Sequence, residues 1–400
     1  MRINCLSEPA GGVERYIRET DEHLLQNGHE VMTVEINSTK KPGNSQLTEH
    51  IYVPGSSISR LFGDIIPDEE VFNFLNDSYK KINPDIIHIH HFRVSFMAVA
   101  RFINSISTPC VYTAHDAQLV CPISTLVLPD GKICEGGIKT RCMFTGCRTG
   151  INVPYEMYRI KIFDRFVKNR ISAYLCPSNA IKNYMETFGY TPSIFIRSFP
   201  NMNIDALDKL DFQKENTIGF LGRVDRYKGL QYLITALASV KKKIPDIQLK
   251  VAGEGDFLPS VKKLVDELDL SNNVTFLGYL PKESHRDFFA SIKFLVIPSV
   301  MIENIIFTAQ EAFAFGRTVI ASSVGGIPEI IENDLNGELV PPADSSALFS
   351  KITSLLEDKE KLIRLSTEAF DSIKRILQER HYDTDITEIY ENVINNKSLN

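Results

Sequence analysis

The amino-acid sequence predicts an α/β protein of two domains, each built on a parallel sheet covered by helices. Short apolar runs rich in β-branched residues alternate with helical patterns along almost the whole chain, which is typical of parallel sheets with helices on both faces. The chain has 400 residues, more than one hydrophobic core usually organises. Its 43% hydrophobic and 24% charged residues are typical of a globular protein.

The first half of the chain contains six predicted strands with helical patterns between them. Apolar residues recur on one face from Val13 to Leu24, which predicts a helix over Val13–Asn27. Gly28 follows it, as expected of a left-handed helix cap. The predicted strands are Ile3–Leu6, Val31–Ile36, Ile86–His90, Val111–Ala114, Ala173–Cys176 and Ile194–Ser198.

The second half repeats the alternation and predicts a second parallel sheet. Its predicted strands are Thr217–Leu221, Gln248–Ala252, Val274–Leu277, Phe294–Ile297 and Val319–Ala321. The predicted helices are Leu230–Lys243, Phe257–Leu268, His285–Ala290 and Ile305–Phe315.

Changes in composition predict the domain limits. Residues 1–200 form the first domain, with a Gly-, Pro-, Thr- and Cys-rich insertion over about 118–150. Residues 201–213 lack strand character and are predicted to be the linker. The second domain covers 214–382, and 383–400 is predicted to be a helix that returns toward the first domain.

Charge and hydropathy exclude several classes of protein. The net charge of −6 gives no reason to expect nucleic acid as the main partner. The segment Met1–Leu6 runs directly into strand-like sequence, so no signal peptide is expected. No apolar stretch approaches the roughly 20 residues of a membrane-spanning helix. We therefore expect a cytoplasmic protein whose cysteines stay reduced unless a metal holds them.

A basic turn follows the first predicted strand of the second domain. Ligands of parallel sheets bind beyond the carboxyl ends of the strands. Gly222, Arg223 and Lys228 lie at such an end, after Leu221. A guanidinium fork beside an ammonium group suits phosphate oxygens. Taken alone, the turn is equally compatible with a solvated basic loop.

Two carboxylates flank the predicted start of the helix over Ile305–Phe315. Glu303 precedes the helix, and Glu311 lies inside it. The eight steps from Glu303 to Glu311 correspond to roughly 12 Å along a helix axis. This spacing suits a diphosphate, with the amides of Asn304, Ile305 and Ile306 facing the phosphates. The alternative is an acid at a helix N-terminus and a solvated Glu. However, the surroundings of Glu311 are too apolar for a solvated face, so its carboxylate needs hydrogen-bond partners.

In this order and spacing, the motifs resemble those of the retaining glycosyltransferases of family 4. In the second half they are Gly222-Arg223, Lys228-Gly229, Val251–Gly255, Phe276–Leu280, Glu303 with Glu311, and Gly325–Glu329. In the first half they are Gly11-Gly12-Val13, Asp85–His90, Thr113–Asp116 and Pro200-Asn201. The resemblance implies the GT-B fold, in which two facing Rossmann-like domains with parallel sheets hold a donor and an acceptor in the cleft between them.

By this resemblance, the chain transfers a sugar from a UDP or GDP donor to an acceptor hydroxyl with retention of configuration. The acceptor class is a glycan, a polysaccharide or a lipid-linked saccharide. No metal or other cofactor is implied for catalysis, because Arg223, Lys228 and helix amides stabilise the leaving diphosphate. Glu311 is implied to bind ribose hydroxyls and Glu303 the donor sugar or its phosphate. His115 is the candidate first-domain contact to the reacting sugar; the alternative is a strand-end histidine bonded to backbone.

The site residues follow from the matching motifs. The implied catalytic residues are Arg223, Lys228, Glu303 and His115. The implied donor-binding residues are Gly11, Gly12, Gly222, Arg223, Lys228, Gly253, Gly278, Tyr279, Glu303, Asn304, Ile305, Ile306 and Glu311. His88, His90 and His91 are interpreted as structural, since at most one or two of them can face the cleft.

The sequence departs from the family pattern at two positions. Asn304-Ile305-Ile306 stands where the family often has an aromatic residue and a glycine, and Met202 stands where glycine is usual. The first departure leaves the donor sugar open. The alternative functions are a GT-B sugar-nucleotide epimerase and a weakly active partner subunit that binds nucleotide sugar. An NAD-linked dehydrogenase is disfavoured, because Gly11-Gly12 is no G-x-G-x-x-G motif.

Two further features of the first domain leave alternatives open. Cys121, Cys134, Cys142 and Cys147 lie within the insertion, and either a structural zinc site or independently packed free thiols fit them, with disulfides third. The segment Arg141–Arg170 carries seven basic and two acidic residues around an apolar helical face. Its basic face is interpreted first as solvated, and second as a peripheral contact with an anionic membrane.

Overall fold

The structure, a computed structural model, forms two compact units. It describes residues 1–4, 12–37, 48–52, 68–93, 95–128, 132–144, 147, 152–196, 207, 209–212, 215–378 and 382–395. The first unit comprises Met1–Leu126, Glu135–Ser198 and His381–Asn400. The second comprises Val127–Cys134 and Phe199–Arg380. Gly11 and Met202 lie outside the described residues.

The first unit is built on a seven-stranded sheet in the order β3-β2-β1-β4-β5-β6-β7. All its strand pairs are parallel. The strands are β1 (Arg2–Asn4), β2 (Thr33–Asn37), β3 (Thr48–Tyr52), β4 (Ile87–Ile89), β5 (Cys110–Thr113), β6 (Ile171–Cys176) and β7 (Ser193–Phe195). β3 was not predicted, because the edge strand Thr-Glu-His-Ile-Tyr contains no apolar run.

Helices of the first unit connect these parallel strands. They are α1 (Gly12–Gln26), α2 (Glu69–Ile82), α3 (Phe96–Ser105), α4 (Asn152–Ile162) and α5 (Asn179–Thr187). α4 continues into a π-helical turn over Phe163–Val167 and a 3₁₀ turn over Lys168–Arg170.

The second unit contains a six-stranded parallel sheet in the order β10-β9-β8-β11-β12-β13. Its strands are β8 (Thr217–Leu221), β9 (Gln248–Ala252), β10 (Val274–Gly278), β11 (Leu295–Ile297), β12 (Val319–Ser322) and β13 (Gly337–Val340). Its helices are α6 (Leu230–Lys243), α7 (Leu258–Glu267), α8 (His285–Ala290), α9 (Phe307–Ala314), α10 (Ser345–Glu357) and α11 (Lys359–Gln378). The predicted fold class, parallel sheets covered by helices, is therefore confirmed.

The last helix, α12 (Tyr382–Ile394), belongs to the first unit, although it follows the second unit in sequence. Ile386, Ile389 and Val393 are buried, and α12 contacts α1. In the part of the chain that the structure describes, no helix is both long enough and apolar enough to cross a membrane.

Candidate functional site

The loops after β8 and β9 approach each other through glycine backbone. Gly222 N donates a hydrogen bond to Ala252 O at 3.0 Å. Gly253 has a φ of +139°, and a Cβ at this position would lie 1.8 Å from Gly222 O. Only glycine fits this close approach. The two strand ends therefore present main-chain groups to a ligand, with no side chain between them.

Lys228 and Glu303 form an ion pair that joins the loops after β8 and β11, which are neighbouring strands. Lys228 Nζ lies 2.7 Å from Glu303 Oε1, and Ser299 Oγ donates to the same oxygen at 2.5 Å. Gly229, at a φ of +74°, lets these loops pack closely, since a Cβ there would lie 1.8 Å from Pro298 O. Glu303 is only 7% exposed. The buried carboxylate of Glu303 is thus paired with the ammonium group of Lys228. This pair lies where the sequence predicts the donor phosphates.

Arg223 lies at the same strand end but extends into solvent. Its side chain is 70% exposed, and Nη2 lies 2.7 Å from Asp225 Oδ2. A guanidinium group has five N–H donors. Arg223 is therefore placed to bind an anion that approaches the end of β8.

The segment from Glu303 to Ile306 differs from the prediction. The helix begins at Phe307, two residues later than predicted, and Ile306 is its N-cap. Asn304 and Ile305 are therefore outside the helix, and the predicted separation of about 12 Å along its axis does not apply. The physical reason is tertiary: Gly326 N donates to Glu303 O at 2.7 Å, which holds this segment against the turn after β12.

Glu311 has the hydrogen-bond partner that its apolar surroundings require, and sequence analysis did not identify that partner. His285 Nδ1 lies 3.0 Å from Glu311 Oε2, and His285 Nε2 lies 3.3 Å from Leu280 O. His285 is the first residue of α8. The only sequence signal for it was its position shortly after the motif Phe276–Leu280.

Gly278 and Tyr279 lie at the carboxyl end of β10. Gly278 O accepts a hydrogen bond from Gly253 N at 2.7 Å, which couples this end to that of β9. Tyr279 is 68% exposed, and its backbone N donates to Glu254 Oε1 at 3.4 Å. The phenol ring of Tyr279 is therefore accessible to a ligand.

In the first unit, His115 belongs to a cluster of stacked rings at the ends of β4 and β5. His115 Nε2 and His90 Nδ1 are hydrogen-bonded at 2.9 Å. The ring of His91 stacks on His115, and that of Tyr16 meets it edge-on with centroids 5.0 Å apart. Burial lowers the pKa of His90, His91 and His115 well below the usual range, so these rings are neutral near pH 7. Gly12 is the first residue of α1.

His88 links the sheet to the C-terminal helix α12. Its Nδ1 is hydrogen-bonded to the Tyr390 hydroxyl at 2.5 Å, and its Nε2 to the Thr113 hydroxyl at 2.6 Å. Burial lowers the pKa of His88 well below the usual range. His88 has a structural environment, as interpreted from the sequence. Tyr390 was not identified from the sequence, because 302 positions separate it from His88.

The structure does not bring the four cysteines of the insertion together at a zinc site, which was one of the three interpretations open from the sequence. No three metal-ligating side chains come together anywhere within the described ranges. Cys142 Sγ donates to Gly137 O at 3.9 Å. Cys134 belongs to the second unit and Cys121 to the first. The structure therefore favours independently packed thiols.

The basic segment is only partly available to solvent. Arg159 is fully buried: Nε lies 2.7 Å from Glu156 Oε2, and the two terminal nitrogens donate to Phe92 O and Gln118 O. The sequence pattern counts Arg159 within the basic segment, but it does not belong to a solvated face, because its guanidinium donates to interior carbonyls. Lys161 and Arg165 are exposed.

Comparisons with known proteins place both halves of the chain in one class. The model for glycosyl transferases group 1 matches residues 205–371, and that for glycosyltransferase family 4 matches residues 10–198. An uncharacterized glycosyltransferase of Methanocaldococcus jannaschii is 25% identical over 87% of this chain and 86% of its own. Among solved structures, sucrose-phosphate synthase from Thermosynechococcus elongatus superposes with a TM-score of 0.75, 20% identity and 99% coverage of both chains. Anabaena HepE in complex with UDP has a TM-score of 0.70 and 16% identity, over 98% of this chain and 99% of its own.

Proposed function

This chain belongs to glycosyltransferase family 4, and from that premise we propose that it transfers a sugar from a nucleoside diphosphate to an acceptor hydroxyl with retention of configuration. The observation that carries the proposal is the meeting of Lys228 and Glu303 beside the glycine-lined ends of β8 and β9. HepE was solved with UDP, which supports a nucleoside diphosphate ligand. The proposed acceptor is a glycan, a polysaccharide or a lipid-linked saccharide.

The proposed chemistry assigns charge stabilisation to Lys228 and Arg223. The bond between the anomeric carbon and the diphosphate oxygen breaks, and the acceptor oxygen bonds to that carbon. The acceptor proton goes to the leaving phosphate. Lys228 has three N–H donors and gives one to Glu303, so two can serve phosphate oxygens. Arg223, at the same strand end, adds a bidentate fork. Both groups bind the diphosphate more strongly as it leaves, which lowers the barrier.

Product release distinguishes this function from the alternatives. UDP- and GDP-sugars would first be screened by thermal shift, because a ligand of the native state raises the melting temperature. The stabilising donor would then be incubated with and without saccharide acceptors, and free nucleoside diphosphate would be measured. A transferase releases it only with an acceptor. An epimerase converts the donor without release, and a binding subunit does neither, so either result contradicts the proposal.

We expect Glu311→Ala to weaken donor binding and to spare the fold. In the proposed site, the carboxylate accepts hydrogen bonds from ribose hydroxyls. Hydrogen bonds to a charged group contribute about 1.5–3 kcal/mol each, so donor affinity should fall at least about tenfold. Titration calorimetry with UDP or GDP measures the loss. Glu267→Ala on α7, an exposed glutamate paired with Lys263, is the matched control. Wild-type affinity of the Glu311 variant would contradict this assignment.

We also propose that the first unit contacts an anionic membrane surface through α4 and the turn that follows it. Lys161 and Arg165 are exposed there, next to the partly exposed rings of Tyr158 and Phe166. Basic and aromatic side chains together suit the interface of an anionic bilayer. Such a contact would hold the protein at the membrane in which a lipid-linked acceptor is anchored.

Vesicle binding tests this contact. Each basic residue near an anionic surface contributes about 1 kcal/mol, so Lys161→Glu with Arg165→Glu should weaken binding to anionic vesicles at least about thirtyfold at low salt. Sedimentation of the wild type and the double variant with anionic and with neutral vesicles measures this loss of binding. Reversal of two exposed lysines of the second unit, Lys242 and Lys262, is the control. Equal binding to both vesicle types would rule the membrane contact out.

A further inference from the structure

His285 connects two parts of the second unit, the carboxylate to which the proposed function assigns the ribose and the loop after β10. On one side, its Nδ1 lies 3.0 Å from the carboxylate of Glu311 on α9. On the other side, its Nε2 lies 3.3 Å from the carbonyl oxygen of Leu280, just after β10. The His285 side chain is 17% exposed and the Glu311 side chain 6%. The imidazole is therefore a largely buried link between a carboxylate and a loop.

The two partners of this ring are both acceptors. A carboxylate oxygen and a backbone carbonyl oxygen have no proton to donate. A neutral imidazole donates from one nitrogen, so the tautomer decides which of the two acceptors receives the N–H, and the Glu311 contact is the shorter of the two. Because an imidazole is rigid, it sets the distance and the angle between the Glu311 carboxylate and the Leu280 carbonyl.

His285 adds a hydrogen bond at the far end of this loop, where the Leu280 side chain also packs against the apolar core of the second unit. Gly278 O is fixed by Gly253 N at 2.7 Å. Beyond it, Tyr279 is largely exposed and its N reaches Glu254 Oε1 only at 3.4 Å. Gly278 also has a φ of +68°, a turn at which the chain direction changes. The bond from His285 to Leu280 O therefore fixes the far end of a short loop that begins at a glycine turn.

We propose that His285 is a positioning residue for nucleoside recognition: it ties the Glu311 carboxylate to the Gly278–Leu280 loop and so holds that carboxylate in place for the ribose hydroxyls. This rests on the proposed function, in which Glu311 binds the ribose. His285 itself acts through Glu311 and Leu280. Its removal leaves a buried carboxylate with one donor fewer and frees the loop end. The diphosphate contacts of Lys228 and Arg223, in the loop after β8, are unaffected.

The test separates the nucleoside from the diphosphate. Calorimetric titrations would compare wild type and His285→Ala with UDP, GDP, their 2′,3′-dideoxy counterparts and inorganic pyrophosphate. We expect affinity for whichever of UDP and GDP binds to fall about tenfold in the variant. We expect the loss to be much smaller for the dideoxy nucleotide, which lacks the hydroxyls that Glu311 binds, and absent for pyrophosphate. His285→Gln keeps an N–H donor and should recover part of the affinity.

Matched controls keep the outcomes distinct. Asp287→Ala changes an exposed residue of the same helix and should bind all probes like wild type. An equal loss for the ribo and dideoxy nucleotides, or a loss for pyrophosphate, would assign His285 to general folding and overturn the positioning role. Wild-type affinity in His285→Ala would also overturn it, while leaving the proposed function standing. If the wild type binds neither UDP nor GDP, the proposed function fails and the inference fails with it.

Discussion

Replacing Lys228 by alanine is expected to lower kcat about a hundredfold, because the ammonium group stabilises charge on the leaving diphosphate. Loss of one such contact costs about 3 kcal/mol of barrier. The effect should be larger on kcat than on donor KM, since the contact strengthens as the bond to the diphosphate breaks. The fold should persist, because Ser299 still donates to Glu303 Oε1.

Initial rates at saturating donor, with free nucleoside diphosphate as the readout, measure this effect. Lys263→Ala removes an exposed lysine of the same unit, paired only across one helical turn, and should keep wild-type turnover. The double variant Lys228→Ala with Glu303→Gln tests the pairing, because neutralising both partners removes the unpaired buried carboxylate. Wild-type kcat in Lys228→Ala would remove this residue from the proposed mechanism.

Arg317→Leu is expected to destabilise the second unit by about 4 kcal/mol. Arg317 is completely buried, and its guanidinium donates to the carbonyls of Phe289, Ile292, Leu210 and Asp211 at 2.6–2.9 Å. Burial lowers its pKa to about 10, so it is still charged at neutral pH. Leucine fills much of the volume but leaves several buried carbonyl oxygens without a donor.

Amide hydrogen exchange in α9 and β12 measures this loss where it should occur, and protection should fall there more than in the first unit. Arg364→Leu is the control: its guanidinium pairs with Asp334 at the surface, and such pairs contribute about 0–1 kcal/mol. Arg317→Lys should give an intermediate loss of protection, since lysine keeps the charge but lacks the planar set of five N–H donors. Unchanged protection in Arg317→Leu would show that the carbonyls find other partners.

Elements that are apolar and continuous in sequence were predicted accurately. β8, β9 and α6 begin and end at the predicted residues, because each apolar run is bounded by polar or turn residues. β13 was missed because it contains Glu338. That carboxylate is fully buried and neutralised by Lys351 and Lys361 at 2.5 Å each. No local pattern in the sequence shows that a charge will be paired by residues 13 and more positions away.

The candidate site was predictable as a set of residues but not as a set of contacts. Lys228 and Glu303 were both identified, yet their pairing depends on the adjacency of β8 and β11, which the strand order creates. The start of α9 was misplaced because a bond from Gly326 holds Glu303, whereas helix periodicity reports only local preferences. His285 carried no motif of its own. Its role follows from the bonds that it makes with Glu311 and Leu280.

The order of synthesis has a consequence for how the first unit matures. Its sheet begins at Arg2, yet the hydroxyl that bonds His88 belongs to Tyr390, on a helix translated after the whole second unit. The order is reversed for Ile133: it is synthesised early, but it packs on the core of the second unit, most of which is synthesised later. On the ribosome, His88 therefore lacks its hydrogen bond to Tyr390 until α12 has been synthesised. A nascent chain halted near residue 380 would contain every described strand of both sheets, but the first unit would lack α12.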